Sequence, residues 1–238
     1  MKQIKFLVLA FTILLGTTFT SCLDSDDSPA TYYAFATVNN NMLGYITLTT
    51  DDGLTLTPAN PTDMKYSNGD YPDRVYIAYN LVEGQEMQQG ITKYDIKFLG
   101  YMNEVAAPDY SSEPVESKTY IYQLAEEGWA ANNYLNIAVS IKYGEDTNTK
   151  TDFALYPDKV EDNVLYFRLV HKEEVAKANG TYSYYMSFFL PTKSSLQSKF
   201  EELEFSGDNN DEIQVVITAE EGEDTIIKTN PFKIRLLR

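Results

Sequence analysis

Apolar and polar residues alternate along most of this chain. "RVYIAYNLV" places Val75, Ile77, Tyr79 and Leu81 on one face. "YLNIAVSIKY" places Leu135, Ile137, Val139 and Ile141 on one face, with Asn136, Ser140 and Lys142 opposite. "VLYFRLVH" lines up Leu165, Phe167 and Leu169, and "TYSYYMSFFL" lines up Tyr182, Tyr184, Met186, Phe188 and Leu190. Near the C-terminus, Ile213, Val215 and Ile217 share one face and Phe232, Ile234 and Leu236 another. Period-two alternation predicts half-buried β-strands. Asn136 falls on the polar side of its strand, where replacement by Ala should change little. Asp52-Gly53, Asn68-Gly69 and Asn179-Gly180 are turn dipeptides whose residues tolerate positive φ. Helical periodicity is scarce: "HKEEVAKAN" (171–179) and "SLQSKFEELEF" (195–205) each suit one or two turns. There is no internal repeat, heptad run or low-complexity tract beyond a short tether.

The alternation lapses over "NEVAAPDYSSEPVES", residues 103–117, which holds two prolines, three serines and four acids. That composition reads as a linker or long loop. Residues 32–105 hold about five short strands, which suits an OB-like barrel. Residues 118–238 hold about seven, which suits a β-sandwich of the immunoglobulin-like kind. The expected organisation is all-β: signal 1–21, tether 22–31, barrel 32–105, linker 106–117 and sandwich 118–238.

The first residues carry a different pattern. Lys2 and Lys5 precede a ten-residue apolar run, "FLVLAFTILL" (6–15). Ten residues are too few for a bilayer core of about 30 Å, which needs about 20 in a helix. A basic start, a short apolar core and small residues after it form a secretory signal. "FTSC" (19–22) resembles the bacterial lipobox, in which cleavage precedes the cysteine and the thiol takes a diacylglycerol; Phe19 departs from the commoner Leu. Cys22 is the only cysteine, and its lipidation explains a thiol that exported proteins otherwise seldom leave single. The alternative is an ordinary signal with an incidental cysteine. A lipoprotein cysteine carries two or three chains, and at about 0.8 kcal/mol per buried methylene the attachment is firm. Asp24, Asp26 and Asp27 follow in a polar tether. Acids just after the lipidated cysteine resemble the surface-export signal of Bacteroidota lipoproteins. The expected location is the outer membrane, at the cell surface or else facing the periplasm.

Charge narrows the partners. The chain has 35 acidic and 19 basic side chains and a formal charge of −16. Lys2 and Lys5 belong to the signal, so the mature part is more acidic still. Such a surface repels phosphate backbones, which argues against a nucleic-acid partner. With Cys22 acylated no disulfide can form, so the cores must hold without covalent staples. Nineteen tyrosines and twelve phenylalanines suit strands.

The order of motifs resembles the NigD-like lipoproteins of Bacteroidota. The matching pieces are the lipobox with its acidic tail, "TLTTDDGLTLTP" (47–58), "YPDRVYIAYNLVEG" (71–84), "NYLNIAVSIKY" (133–143), "LYFRLVHKEE" (165–174) and "YSYYMSFFLPTKSSL" (182–196). They cover nearly the whole mature chain. The resemblance implies an OB-like domain followed by a β-sandwich, no established enzyme activity, and an immunity role toward a bacteriocin. It supplies no site residues.

Candidates for chemistry are few. His171, the only histidine, shares the phase of Leu165, Phe167 and Leu169 at a strand end, which suits a sheet edge better than a catalytic triad. No Gly-x-Ser-x-Gly elbow accompanies it, and a zinc site lacks ligands. Asp208, Asn210 and Glu212 have the alternate spacing of an EF-hand start, but Ile213 replaces its glycine and Ala219 its final glutamate. A glycosidase carboxylate pair cannot be located among so many acids. Trp129, in "EEGWAANNYL", reads as a loop residue that packs against the other domain or stacks on a sugar. Asp224-Thr225-Ile226 resembles a short O-glycosylation motif of Bacteroidota exported proteins. The expected function is a non-enzymatic surface lipoprotein that needs no cofactor, is held to the membrane at Cys22, and binds a protein, glycan or bacteriocin. The alternatives are an accessory component of an envelope complex and, third, a carboxylate hydrolase.

Overall fold

The structure is a computed structural model that describes residues 29–41, 44–103, 105–106, 110–143, 153–172, 180–209 and 211–236. Cys22, Asp24, Asp26 and Asp27 lie outside the described residues, as do the Asn179 turn position and Asn210.

Five strands close a barrel: β1 (Thr31–Asn40), β2 (Ile46–Thr50), β3 (Thr55–Pro58), β4 (Arg74–Leu81) and β5 (Lys93–Asn103). Their order is β1-β2-β3-β5-β4, with β4 closing onto β1. All pairs are antiparallel except β3 with β5. Alternation explains the filling. Val75, Ile77 and Tyr79 of β4 meet Leu48, Leu56 and Ile96 inside, and Leu81 is partly buried against them. Met64, from a 3₁₀ turn at Pro61–Met64, joins the same core. Gly53 and Gly69 have φ near +90°, which the Asp-Gly and Asn-Gly dipeptides supply without strain.

The rest of the chain builds two sheets. The first runs β6 (Val105–Ala106), β12 (Gly180–Phe189), β9 (Tyr134–Tyr143), β7 (Ile121–Leu124), with β8 (Trp129–Ala131) also on β9. The second runs β10 (Phe153–Glu161), β11 (Val164–His171), β13 (Glu212–Gly222), β14 (Thr225–Lys228), with β15 (Phe232–Arg235) also on β13. Their facing sides share one core. Leu135, Ile137, Val139 and Ile141 from the first sheet meet Leu165, Phe167, Leu169, Val215, Ile217 and Ile234 from the second. Helix α1 (Lys193–Lys199) closes one end. Thr192 caps it by accepting from Ser195 N at 3.3 Å, and Leu196, Phe200 and Leu203 reach the core.

Several sequence expectations change here. Tyr182 shares the phase of Met186 and Phe188 but is exposed, although its cross-strand partner Ile141 is fully buried. "EEGWAANNYL" is a hairpin, not a loop: β8 and β9 join through Asn132 and Asn133, whose φ values of 49° and 70° form the turn. Asp162 and Asn163 do the same between β10 and β11. β10 escapes period-two reading because Phe153 to Tyr156 are all buried and Pro157 interrupts it at a bulge, where proline is tolerated.

The segment that reads as a linker is tied down. Val105 and Ala106 pair with Tyr185 and Met186. Ser111 N donates to Leu155 O at 2.9 Å, Val115 packs on Ala154, Tyr156 and Val170, and Lys118 N donates to His171 O at 2.8 Å. Residues 110–119 thus run as a strap across the outer face of the second sheet.

Candidate functional site

The barrel and the first sheet meet through residues that the alternation turns outward on both. Because Val75, Ile77 and Tyr79 fill the barrel, Arg74 points out. Because Leu135 and Ile137 fill the sandwich, Asn136 points out. Asn136 was expected on a solvated face; it is fully buried, because the barrel covers that face. Arg74 Nη2 donates to Asp51 Oδ2 at 2.6 Å and to Asn136 Oδ1 at 3.0 Å. The arginine side chain has no solvent exposure and the aspartate 9%. Trp129 Nε1 donates to the same carboxylate oxygen at 2.8 Å. Ser187 Oγ donates to Asn136 Oδ1 at 2.5 Å, and Arg74 Nη1 donates to Thr37 Oγ1 at 3.3 Å. Asn132 Nδ2 reaches Thr49 O and Thr50 O at 3.0 and 3.1 Å, so the β8–β9 turn clasps the β2–β3 hairpin. A paired, hydrogen-bonded charge is the form in which burial is tolerated.

Aromatic rings flank this polar lock. Phe35 stacks on Tyr76 at 4.3 Å and 9°, and meets Trp129 and Tyr185 edge-on at 5.1 and 4.8 Å. Tyr76 lies 5.9 Å from Tyr185. Burial raises the Tyr76 hydroxyl pKa above the ordinary tyrosine value, and neighbouring Tyr185 and Tyr33 add to it. On the other side, the Arg74 guanidinium lies 5.3 Å from the Tyr134 ring, and Tyr134 meets exposed Phe189 edge-on at 5.5 Å. Tyr33 stands exposed on the same face of β1 as Phe35, which pairs with Tyr76 of β4.

The other sequence candidates fall into place around this junction. Trp129 is the first residue of β8; it is half-buried, its ring and N–H engaged by Phe35, Tyr185 and Asp51. His171 is not at a sheet edge as expected: β11 lies between β10 and β13, and the imidazole is fully buried and stacked on Phe153 at 4.3 Å and 6°. Asp208 and Glu212 gather no metal-ligand cluster among the described residues. Glu212 instead pairs with Arg235 at 2.5 Å and Asp211 with the same arginine at 3.4 Å. These three residues, with Asn132, Asn133, Lys233 and Leu236, line an open groove of about 770 Å³. Thr225 is exposed at the start of β14. Sequence reasoning missed the lock because Arg74 and Asp51 are ordinary polar positions at a strand start and a turn. Only the covering partner distinguishes them from solvated ones.

No family model matches the chain, and no curated protein matches it. Solved structures do. A candidate lipoprotein from Bacteroides fragilis is 17% identical, with a TM-score of 0.55 over 87% of this chain and 98% of that one. A candidate toxin-related protein from Parabacteroides distasonis is 15% identical, with a TM-score of 0.53 over 86% and 93%. The neighbours also include a NigD-like immunity protein from Bacteroides caccae, 18% identical, with a TM-score of 0.48 over 87% and 98%. The first two likenesses establish a shared fold that takes in both the barrel and the sheets. Among the described residues no helix is long and apolar enough to cross a membrane.

Proposed function

We propose that this chain is a NigD-like envelope lipoprotein, anchored at Cys22 and displayed at the outer surface, that binds a partner without catalysing its conversion. The strand order β1-β2-β3-β5-β4 supports an OB-like reading of residues 32–105. Two sheets about one core support an immunoglobulin-like sandwich at 118–238, with 106–117 as the connection. The observation that carries the binding role is the junction. A buried ion pair and its amide and hydroxyl partners join barrel to sandwich, beside them Tyr76 and Tyr185 meet, and Tyr33 stands exposed on the same outward barrel face. A fixed aromatic surface binds with little ordering cost.

The test uses a soluble Cys22→Ala form and separated envelope protein and polysaccharide fractions. Saturable binding to one fraction, with its composition unchanged after incubation, supports the reading. Release of fragments from the bound fraction would replace it with the hydrolase. Absence of binding to either would favour an accessory role in an envelope complex.

A further inference from the structure

The two sheets of the sandwich end differently on their two sides. On one side a further segment lies on the last long strand: Tyr110 bridges to Leu155 of β10, and β6 pairs with β12. On the other side β8 pairs only with β9, and β15 only with β13. These two edges flank the open groove of about 770 Å³, with Ala130 and Ala131 on one wall and Lys233, Ile234 and Arg235 on the other.

The registers show what the edges offer. Leu236 N donates to Asp211 O at 2.9 Å, in the same register that sets Ile234 opposite Ile213 and Phe232 opposite Val215. Alternate residues of an antiparallel pair exchange main-chain hydrogen bonds. Lys233 and Arg235 occupy the positions between, so their N–H and C=O point away from β13. Asn132 and Asn133 make a two-residue turn, so Ala131 and Tyr134 bond each other and Ala130 turns its main-chain groups outward. Among the described residues, no main-chain hydrogen bond reaches the outer side of Lys233, Arg235 or Ala130.

An unpaired strand edge is a template for another strand. The side chains around it narrow the occupant. Among the described residues no aromatic ring lines the groove, so a sugar finds nothing to stack on. The Asn132 amide is engaged by Thr49 O and Thr50 O, and Asp211 and Glu212 by Arg235. The groups left over belong to the main chain, and their complement is an extended polypeptide. The charge of −16 repels a second copy as its source.

We propose that the groove between β8 and β15 takes an extended segment of a partner protein, which adds to β15 as a further strand through the N–H and C=O of Lys233 and Arg235. Ala130 and Ala131, both small, leave room for it on the facing wall. This contact goes beyond the junction surface and does not depend on Tyr33.

The test is selection of a displayed random dodecapeptide library on the full chain held in detergent micelles. Selected peptides should alternate apolar and polar residues. With the tightest one bound, hydrogen exchange at the Lys233 and Arg235 amides should slow about tenfold or more. N-methylation of every second peptide amide should weaken binding about tenfold in one phase and much less in the other. That series leaves the protein untouched. Lys233→Pro removes an outward N–H and no bond to β13, a position where proline is tolerated. It should weaken binding about tenfold at an unchanged melting temperature. If it melts lower, the N-methyl series decides.

Unchanged exchange at Lys233 and Arg235, or indifference to N-methylation in both phases, would overturn the proposal. So would polysaccharide binding, or a dimer, that Lys233→Pro abolishes while peptides still bind. Peptides lost in Tyr33→Ala and kept in Lys233→Pro would refute this groove and leave the junction reading standing. Peptides lost in Lys233→Pro and kept in Tyr33→Ala would support the groove alone.

Discussion

Arg74 and Asn136 lie 62 positions apart, one on the barrel and one on the first sheet, and share a buried 3.0 Å hydrogen bond. Each occupies the polar phase of a strand whose other phase fills its own core. The two outward faces therefore become a third interior, and polar residues are its content. Burying a guanidinium is tolerated there because Asp51, Asn136 and Thr37 all accept from it.

Breaking this lock should be costly. Asp51→Ala leaves Arg74 buried without its counter-charge and should destabilise by about 3–5 kcal/mol. Asn136→Ala should cost about 1.5–3 kcal/mol, the range for hydrogen bonds to charged groups. In a double-mutant cycle, Asp51 and Arg74 should be non-additive by about 0.5–3 kcal/mol. Urea unfolding measures all three, and additivity would mean the ion pair is not formed.

The sandwich core offers a cleaner loss. Ile137 is fully buried between the two sheets. Ile137→Ala should destabilise by about 2–5 kcal/mol through lost burial and the cavity left behind. A shift in melting temperature no larger than that of an exposed control such as Lys142→Ala would show that the strand does not face the core.

Alkali should unfold the protein through its tyrosines. Burial raises the pKa of Tyr79, Tyr101 and Tyr110 above the ordinary value near 10, with nearby acidic or phenolic groups adding to it at Tyr79 and Tyr101. A raised folded pKa means the folded state holds these protons longer than the unfolded state. Their contribution is therefore complete below about pH 10 and lost as pH climbs through the folded values. Absorbance at 295 nm should show one group of tyrosines ionising near pH 10 and another only with unfolding. A single transition for all would contradict the burial.

The tether predictions concern address alone. Cys22→Ala should move the protein from the detergent phase to the aqueous phase. Changing Asp24, Asp26 and Asp27 to Ala should leave the melting temperature alone and protect the protein from protease added to intact cells. Equal digestion of the original and the triple variant would reduce the acids to a spacer.

Much of the fold was legible because strand alternation records which side is dry. Leu135, Ile137, Val139 and Ile141 show it directly, and the Asp52-Gly53 turn appears where it was expected. What escaped was any position whose surroundings come from a distant part of the chain. Asn136 reads as solvated until the barrel covers it. β10 loses its alternation because the 110–119 strap buries its second face. Asn132-Asn133 and Asp162-Asn163 form turns without glycine, so the usual turn dipeptide was missing. β5 slips register twice against β4, at Leu99 and at Met102, and no residue pattern in β5 announces either slip.

Binding at the junction surface is the central expectation. The most direct measurement is the binding of fluorescently labelled Cys22→Ala protein to intact cells that lack the gene, titrated to equilibrium. The expected result is a saturable isotherm that Tyr33→Ala weakens at least tenfold at unchanged melting temperature. Binding that rises linearly without saturation, or an isotherm that Tyr33→Ala reproduces, would contradict a binding role for this surface.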